Sequence, residues 1–238
     1  ALGLAMGVML AGVLQLLFQL PSLHALKLTP KPVWDTQDAG VRKILMLMVP
    51  ALFGVSVSQI NLLFDTVLAS LLPNGSVAWL YYSDRLTELP LGVFAIAIAT
   101  VILPALSALN TRAAADEFSQ TLTWAVRNVL LIAVPATVAL WLLAEPILTA
   151  LFQYGAFTTN DVTMAAASLR AYTLGLGAFM LIKVLAPGYY ARQDMKTPVK
   201  IGIVAMVSNM VLNVLFVFPL MWYFDMGHVG LALATSAS

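Results

Sequence analysis

The 238 residues are 61% hydrophobic and only 10% charged, with a mean hydropathy of +0.92 and a net charge of +1. Soluble globules carry about 25% charge, so a water-exposed fold is excluded, and without a basic stripe so is nucleic-acid binding. Cysteine is absent and the only histidines are the distant His24 and His228, which excludes disulfides, thiol nucleophiles and histidine-based zinc or triad chemistry.

Four charge-free stretches, Ala1–Leu26, Ile44–Phe64, Leu89–Thr111 and Ile201–Phe224, each exceed the ~18 residues that mark a membrane-spanning helix. The chain therefore reads as all-α, a polytopic membrane helical bundle. In chain order the predicted spans are Ala1–Leu20, Ile44–Leu72, Val77–Leu109, Thr121–Leu143, Asp161–Ala191 and Val199–Phe224, with a seventh beginning at Val229. Pro21, Pro73-Asn74-Gly75, Asn110 and Ala144-Glu145-Pro146 mark breaks between them. Ala1 lies inside an apolar run and Leu231–Ser238 reads as the start of a helix, so an internal piece of a longer protein is expected. Prolines 50, 90, 104, 135, 187 and 219 fall within or near the ends of apolar runs, where each frees a carbonyl and permits a bend. Such helices suit a moving transporter better than a rigid anchor.

The first connection, 21–43, is the longest. Its Leu23, Leu26, Leu28, Val33 and Trp34 alternate with basic residues and prolines, as in a segment lying at headgroup level, and a plain linker between two halves is equally compatible. Lys27, Lys31, Arg42 and Lys43 belong to this connection, Arg112 and Arg127 flank the third, and Arg192, Lys196 and Lys200 occupy the fifth. The second, fourth and sixth have no Lys or Arg. Nine basic residues on alternate sides against none place connections one, three and five in the cytoplasm.

Asp65, Asp84, Arg85, Glu88, Arg170 and Lys183 lie within spans. There each charge near a helix centre costs about 2.5–3.5 kcal/mol on insertion scales, so a wet cavity or a partner is expected. Counted from the outer ends of their spans, Asp65, Arg85, Arg170 and Asn213 fall at similar depth, as the polar layer of a central cavity would. Arg85 can pair with Glu88 at i,i+3, and Asp84 shares a face with Glu88 at i,i+4. Such a group either offers a guanidinium fork to a phosphate or neutralises itself to fix packing. Asp65 follows the polar stripe Ser56, Ser58, Gln59 and Asn61, and Asn209 and Asn213 are spaced i,i+4, with Thr235 at similar depth on the seventh span. This set suits an alkali cation or a proton carried on Asp65, and equally suits interhelical hydrogen bonding. Lys183 and Arg170 are near enough to the two surfaces to snorkel.

The run Tyr82–Phe94, containing Ser83-Asp84-Arg85-Leu86-Thr87-Glu88-Leu89-Pro90, continues into Ala97–Ser107 and resembles the signature of the MurJ/MviN lipid II flippase family of the MOP exporter superfamily. Gln59–Asp65 and Tyr189–Pro198 support the resemblance, which covers essentially the whole chain. It implies a two-lobed transporter of about fourteen helices around a V-shaped cationic cavity, working by alternating access, of which this chain is part. On that map residues 1–20 are the last helix of the N-terminal lobe, 21–43 the cytoplasmic interlobe loop, and 44–238 the first helices of the C-terminal lobe. Arg85 matches a cavity arginine, with Asp84 and Glu88 beside it as substrate-binding residues. Asp65, Asn209, Asn213 and Thr235 match a cation site, where Asn213 replaces a carboxylate found in some members and so lowers ligand charge.

The resemblance further implies transport of lipid II between leaflets of the bacterial inner membrane, with membrane lipids as neighbours and a monomer completed by the rest of its own chain. It implies no enzymatic activity and no cofactor beyond coupling to Na⁺ or H⁺. The alternative is another transporter of the superfamily, a multidrug/cation antiporter or a lipid-linked oligosaccharide flippase. An enzyme acting on polyprenyl phosphates would need clustered acids or histidine with a metal, and Asp116-Glu117 is the only adjacent acidic pair at a cytoplasmic connection.

Overall fold

The computed structural model describes residues 2–26 and 38–238. All regular structure among them is helical: α1 (Leu2–Ala25), α2 (Ala39–Ser70), α3 (Ser76–Pro90), a π turn (Leu91–Ala95), α4 (Ile96–Thr111), α5 (Ala115–Leu142), α6 (Ala144–Phe152), α7 (Thr159–Ala191), α8 (Lys196–Phe224) and α9 (Gly227–Ala237). Five helical stretches among the described residues are long and apolar enough to cross a membrane: Ala5–Ala25, Ser76–Thr111, Ala115–Leu142, Thr159–Ala191 and Lys196–Phe224. This is a multi-pass helical membrane protein.

Residues 1–44 and 45–238 form two compact units. In the first, α1 continues through Pro21 to Ala25, past the expected break. A proline removes only one backbone bond, and a spanning helix tolerates the loss. Asp38 starts α2, its Oδ1 accepting from the backbone N–H groups of Gly40 (2.7 Å) and Val41 (3.1 Å). Arg42 and Lys43 therefore lie on the first turns of a helix, not in a connection. Lys27, Leu28, Lys31, Val33 and Trp34, which carried the headgroup-level reading, lie outside the described residues.

In the second unit α7 is the central element. Its N-terminus is closed by a capping box: Asp161 Oδ2 accepts from the Thr158 backbone N–H (2.7 Å), and Thr158 Oγ1 accepts from the Asp161 N–H (3.4 Å). Asp161 Oδ1 also accepts from the Trp79 indole N–H at 2.8 Å, which fixes the start of α7 to the first turn of α3. At the opposite end Asn110, closing α4, donates to the Ala191 carbonyl (3.3 Å), and the Arg192 guanidinium lies 4.5 Å from the Phe118 ring centroid on α5. Arg112, Arg192, Lys196 and Lys200 thus gather at one end, in keeping with the charge asymmetry.

Two apolar clusters lie along α7. Trp79, Leu86, Leu148, Val162 and Leu169 pack near the end that the charge asymmetry reads as outer. Ala95, Ile102, Leu106, Val129, Met180 and Val184 pack toward the basic end. Small residues bring α9 close: a Cβ on Gly175 would meet the Ser236 backbone at 2.8 Å, and one on Gly230 the Phe216 backbone at 2.8 Å.

Two further elements differ from the sequence reading. The expected outer connection Glu145–Asn160 begins with α6, because Pro146 sits in the first turn of a helix, where no N–H is needed. Ile147, Leu148 and Phe152 then pack against the outer cluster. The Val77–Leu109 span is one continuous helical path with a π turn after Pro90, in which the Ile96 N–H donates to the Leu91 carbonyl, five residues back. Proline cannot continue the α ladder, and the wide turn absorbs that defect.

Candidate functional site

A cavity of about 490 Å³ opens between α2, α3, α7 and α9. Its polar lining is Asn61, Asp65 and Thr66 from α2, Tyr81, Asp84 and Arg85 from α3, Tyr172 from α7 and Thr235 from α9, over an apolar floor that includes Leu80 and Leu231. Residues from the substrate-binding set and from the cation set, separate in the sequence reading, share this one space.

Arg85 is half-exposed, and its Nη1 pairs with Glu88 Oε2, one turn further along α3. Nε and Nη2 make no hydrogen bond among the described residues. The guanidinium carbon lies 5.0 Å from the Tyr81 ring centroid, within cation–π range. Glu88 serves the arginine from beside the cavity without lining it. Asp84 lines the cavity and forms no ion pair among the described residues, so of the two flanking carboxylates only Glu88 engages Arg85.

Asp65 is the centre of a carboxamide network. Its Oδ1 accepts from Asn213 Nδ2 at 2.7 Å, its Oδ2 from Asn61 Nδ2 at 3.3 Å. Asn213 Nδ2 also donates to Asn209 Oδ1 (2.8 Å), and Asn209 Nδ2 to Thr235 Oγ1 (3.5 Å). Asn209 and Asn213 are fully buried behind the cavity wall, on the face of α8 that packs on α9. Asn61 Oδ1 and Asn213 Oδ1 are buried and accept no hydrogen bond. Asn61 and Asn213 turn Nδ2 to Asp65, and their orphaned oxygens, with the carboxylate and the Thr235 hydroxyl, are donors of the type a hard monovalent cation takes.

Of the expected polar layer, Asp65, Arg85 and Asn213 meet here and Arg170 does not. Arg170 Nη2 donates to Glu145 Oε1 at 3.1 Å and Nε to the Trp141 carbonyl at 3.4 Å, joining α7 to the end of α5 and the start of α6. Its partner lies in the segment read as a connection, which is why depth alone grouped Arg170 with the cavity. Lys183 is exposed on α7 and does not line the cavity. Tyr81 and Tyr172 are cavity residues that sequence reasoning missed, since an aromatic in a span looks like packing.

Solved structures and known sequences agree with this architecture. A multidrug resistance MATE family transporter of the MOP superfamily, in an outward-facing conformation, superposes with a TM-score of 0.70 over 82% of this chain and 41% of that one, at 18% identity. This chain therefore shares the helical membrane fold of that transporter. The family model described as lipid II flippase MurJ matches residues 1–238. This chain belongs to the MurJ family. A probable lipid II flippase MurJ from Vibrio cholerae is 58% identical over 99% of this chain and 44% of its own length. One from Haemophilus influenzae is 54% identical over 100% and 46%. A solved lipid II flippase MurJ in an inward closed conformation superposes with a TM-score of 0.71 at 32% identity, over 89% of this chain and 44% of that one. The chain thus spans less than half the length of these relatives.

Proposed function

We propose that the protein containing this chain is a lipid II flippase, moving the undecaprenyl-pyrophosphate-linked peptidoglycan precursor from the cytoplasmic to the periplasmic leaflet of the bacterial inner membrane. It works by alternating access, as a monomer completed by the rest of its own chain, and transports without chemical conversion. The observation that carries this reading is Arg85: a half-exposed guanidinium lining a cavity, tied through Nη1 to Glu88 with Nε and Nη2 free of hydrogen bonds among the described residues. That free edge matches the oxygens of a phosphoryl group, which arginine binds as a planar fork. Binding energy spent on one conformation shifts the inward–outward equilibrium only as far as the substrate prefers that conformation.

The cavity also supports coupling to a cation. Asp65, with the orphaned oxygens of Asn61 and Asn213 and the hydroxyl of Thr235, would hold Na⁺, which when bound neutralises the carboxylate. A proton on Asp65 is the other form of the same coupling. It would turn one carboxylate oxygen into a donor, and an Asn213 carboxamide rotated about its last torsion would accept it. Na⁺-dependent transport that becomes Na⁺-independent in Asp65→Asn favours the metal ion; pH dependence at constant Na⁺ favours the proton.

The test of the main reading is Arg85→Ala in the full-length protein. Cells depleted of their own flippase should fail to grow on this variant, and their lipid II should remain inaccessible from the periplasmic face, while the variant inserts and melts like the wild type. Normal growth and normal lipid II accessibility would remove Arg85, and with it this reading, from consideration.

A further inference from the structure

We propose that Tyr81 is a positioning residue for Arg85, its ring holding the guanidinium turned toward the cavity so that a phosphoryl group meets an arginine already oriented. The proposal rests on the reading of Arg85 as the pyrophosphate contact.

Tyr81, Arg85 and Glu88 follow one another at i, i+4 and i+7, a single stripe on α3. The guanidinium is thereby held from both directions along the helix, by the ring at 5.0 Å to the centroid on one side and by the Glu88 carboxylate on the other. The ring is itself braced. Tyr82 meets it edge-on at 5.7 Å, and Tyr82 packs between Phe152 at 4.6 Å and Phe157 at 5.2 Å in the outer apolar cluster. A chain of aromatic contacts thus runs from α6 and the turn after it to the cavity arginine.

The need for such a restraint comes from Asp84. This carboxylate lines the same cavity, neighbours Arg85 in sequence and has no cationic partner among the described residues. An arginine side chain has many accessible rotamers, and an unrestrained one can swing to a carboxylate that lines the same cavity. Paired with Asp84 as well as Glu88, the fork would have no edge left for an anion. Tyr81 blocks that collapse by occupying one face of the guanidinium plane, and it does so without using any of the five N–H donors. An aromatic face suits this task better than a second carboxylate, which would compete with the phosphate.

The experiment measures binding of undecaprenyl diphosphate to purified full-length protein in lipid nanodiscs. Tyr81→Phe keeps the ring and should bind within about twofold of the wild type. Tyr81→Leu and Tyr81→Met lose the ring and should each bind about five- to tenfold more weakly, with unchanged melting temperatures. In an Arg85→Ala background, already weakened, Tyr81→Leu should make no further difference. Wild-type binding by Tyr81→Leu and Tyr81→Met, or an undiminished loss in the Arg85→Ala background, overturns the role of Tyr81 and leaves that of Arg85 standing. Failure of Tyr81→Phe to restore binding also overturns it, because the hydroxyl and not the ring would then be the active feature. Wild-type binding by Arg85→Ala overturns the pyrophosphate reading itself.

Discussion

Two regions of residues 45–238 meet on α7 about one helical turn apart and obey opposite rules. From Leu176 to Val184 the helix contributes to a cluster with Ile102, Leu106 and Val129, an interior of apolar side chains with almost no exposure. At Tyr172 the same helix borders a cavity holding two carboxylates, a guanidinium and the carboxamide of Asn61, with Asn209 and Asn213 just behind. In the first region dispersion and close packing hold the helices together, since lipid supplies no hydrophobic drive between them. In the second, charges that are expensive to place in a membrane are kept half-solvated and only partly paired. The difference separates residues that hold the protein's shape from residues that can respond to a ligand.

Breaking the packed region should have the largest effect. Leu106→Asp buries a carboxylate with no partner in the apolar cluster, and the expected outcome is loss of folded protein, seen as absent monodisperse material after detergent extraction. Asp65→Leu, the converse exchange in the cavity, should preserve the folded protein and remove transport. Equal folding defects in the two variants would erase the distinction between the regions. Gly230→Leu comes next: its Cβ would lie 2.8 Å from the Phe216 carbonyl, a backbone atom that cannot rotate away. A loss of about 1–3 kcal/mol is expected for such overpacking, read from reversible unfolding in mixed micelles. Asn213→Ala removes a donor from Asp65 and from Asn209. It should cost about 0.6–1.7 kcal/mol, the range for interhelical hydrogen bonds in membranes, and, under the cation coupling proposed above, change cation dependence more than stability.

The smallest effect is expected outside both regions. Asp194 accepts hydrogen bonds from the Thr197 hydroxyl (2.6 Å) and N–H (3.1 Å) and from the Lys196 N–H (3.1 Å) at the start of α8. These bonds, with the Lys200 charge, hold its carboxyl below the usual aspartate range. A carboxyl depressed in the folded state stabilises above its unfolded pKa near 4, and that contribution disappears as pH falls through the lower folded value. Melting curves of wild type and Asp194→Asn should therefore differ slightly at pH 7 and draw together as pH falls below 4. A gap that stays constant as the pH falls would deny the carboxylate this role.

Much of this architecture was legible from patterns that depend on one segment at a time. Hydropathy located the spans, and the distribution of Lys and Arg matched the end at which α4, α5, α7 and α8 turn. The pairing of Asp65 with Asn213, 148 residues apart, was foreshadowed by their similar depth, because spans of similar length cross the same slab. Depth says nothing about azimuth, however, and so Arg170 was grouped with residues it does not meet. Its partner Glu145 lies on α6, whose Pro146 resembles a breaker until its place in a first turn is known. Tyr81 and Tyr172 were hidden for another reason. An aromatic in a span reads as packing, and only the neighbours across the cavity reveal otherwise.

The π turn at Leu91–Ala95 has a consequence for how residues along α3 and α4 must be counted. One buried stripe runs Trp79, Ser83, Leu86, Pro90, then Ala95, Ile102 and Leu106, with Ser76 and Thr87 buried beside it. The steps are four, three and four residues until Pro90, and five across the π turn. A helix with 3.6 residues per turn drifts by about 100° for each residue added, and here one extra residue is absorbed without turning the stripe away from α7. The lower half keeps its packing phase while the upper half keeps Tyr81 and Arg85 on the cavity, with Glu88 beside it. Because the i,i+5 bonding takes up that extra residue, a chain lacking one residue here, such as Val93, would close as ordinary α-helix and keep both halves in phase. The aim of the arginine thus survives one residue more or fewer in this stretch, the width of a single turn taking up the difference.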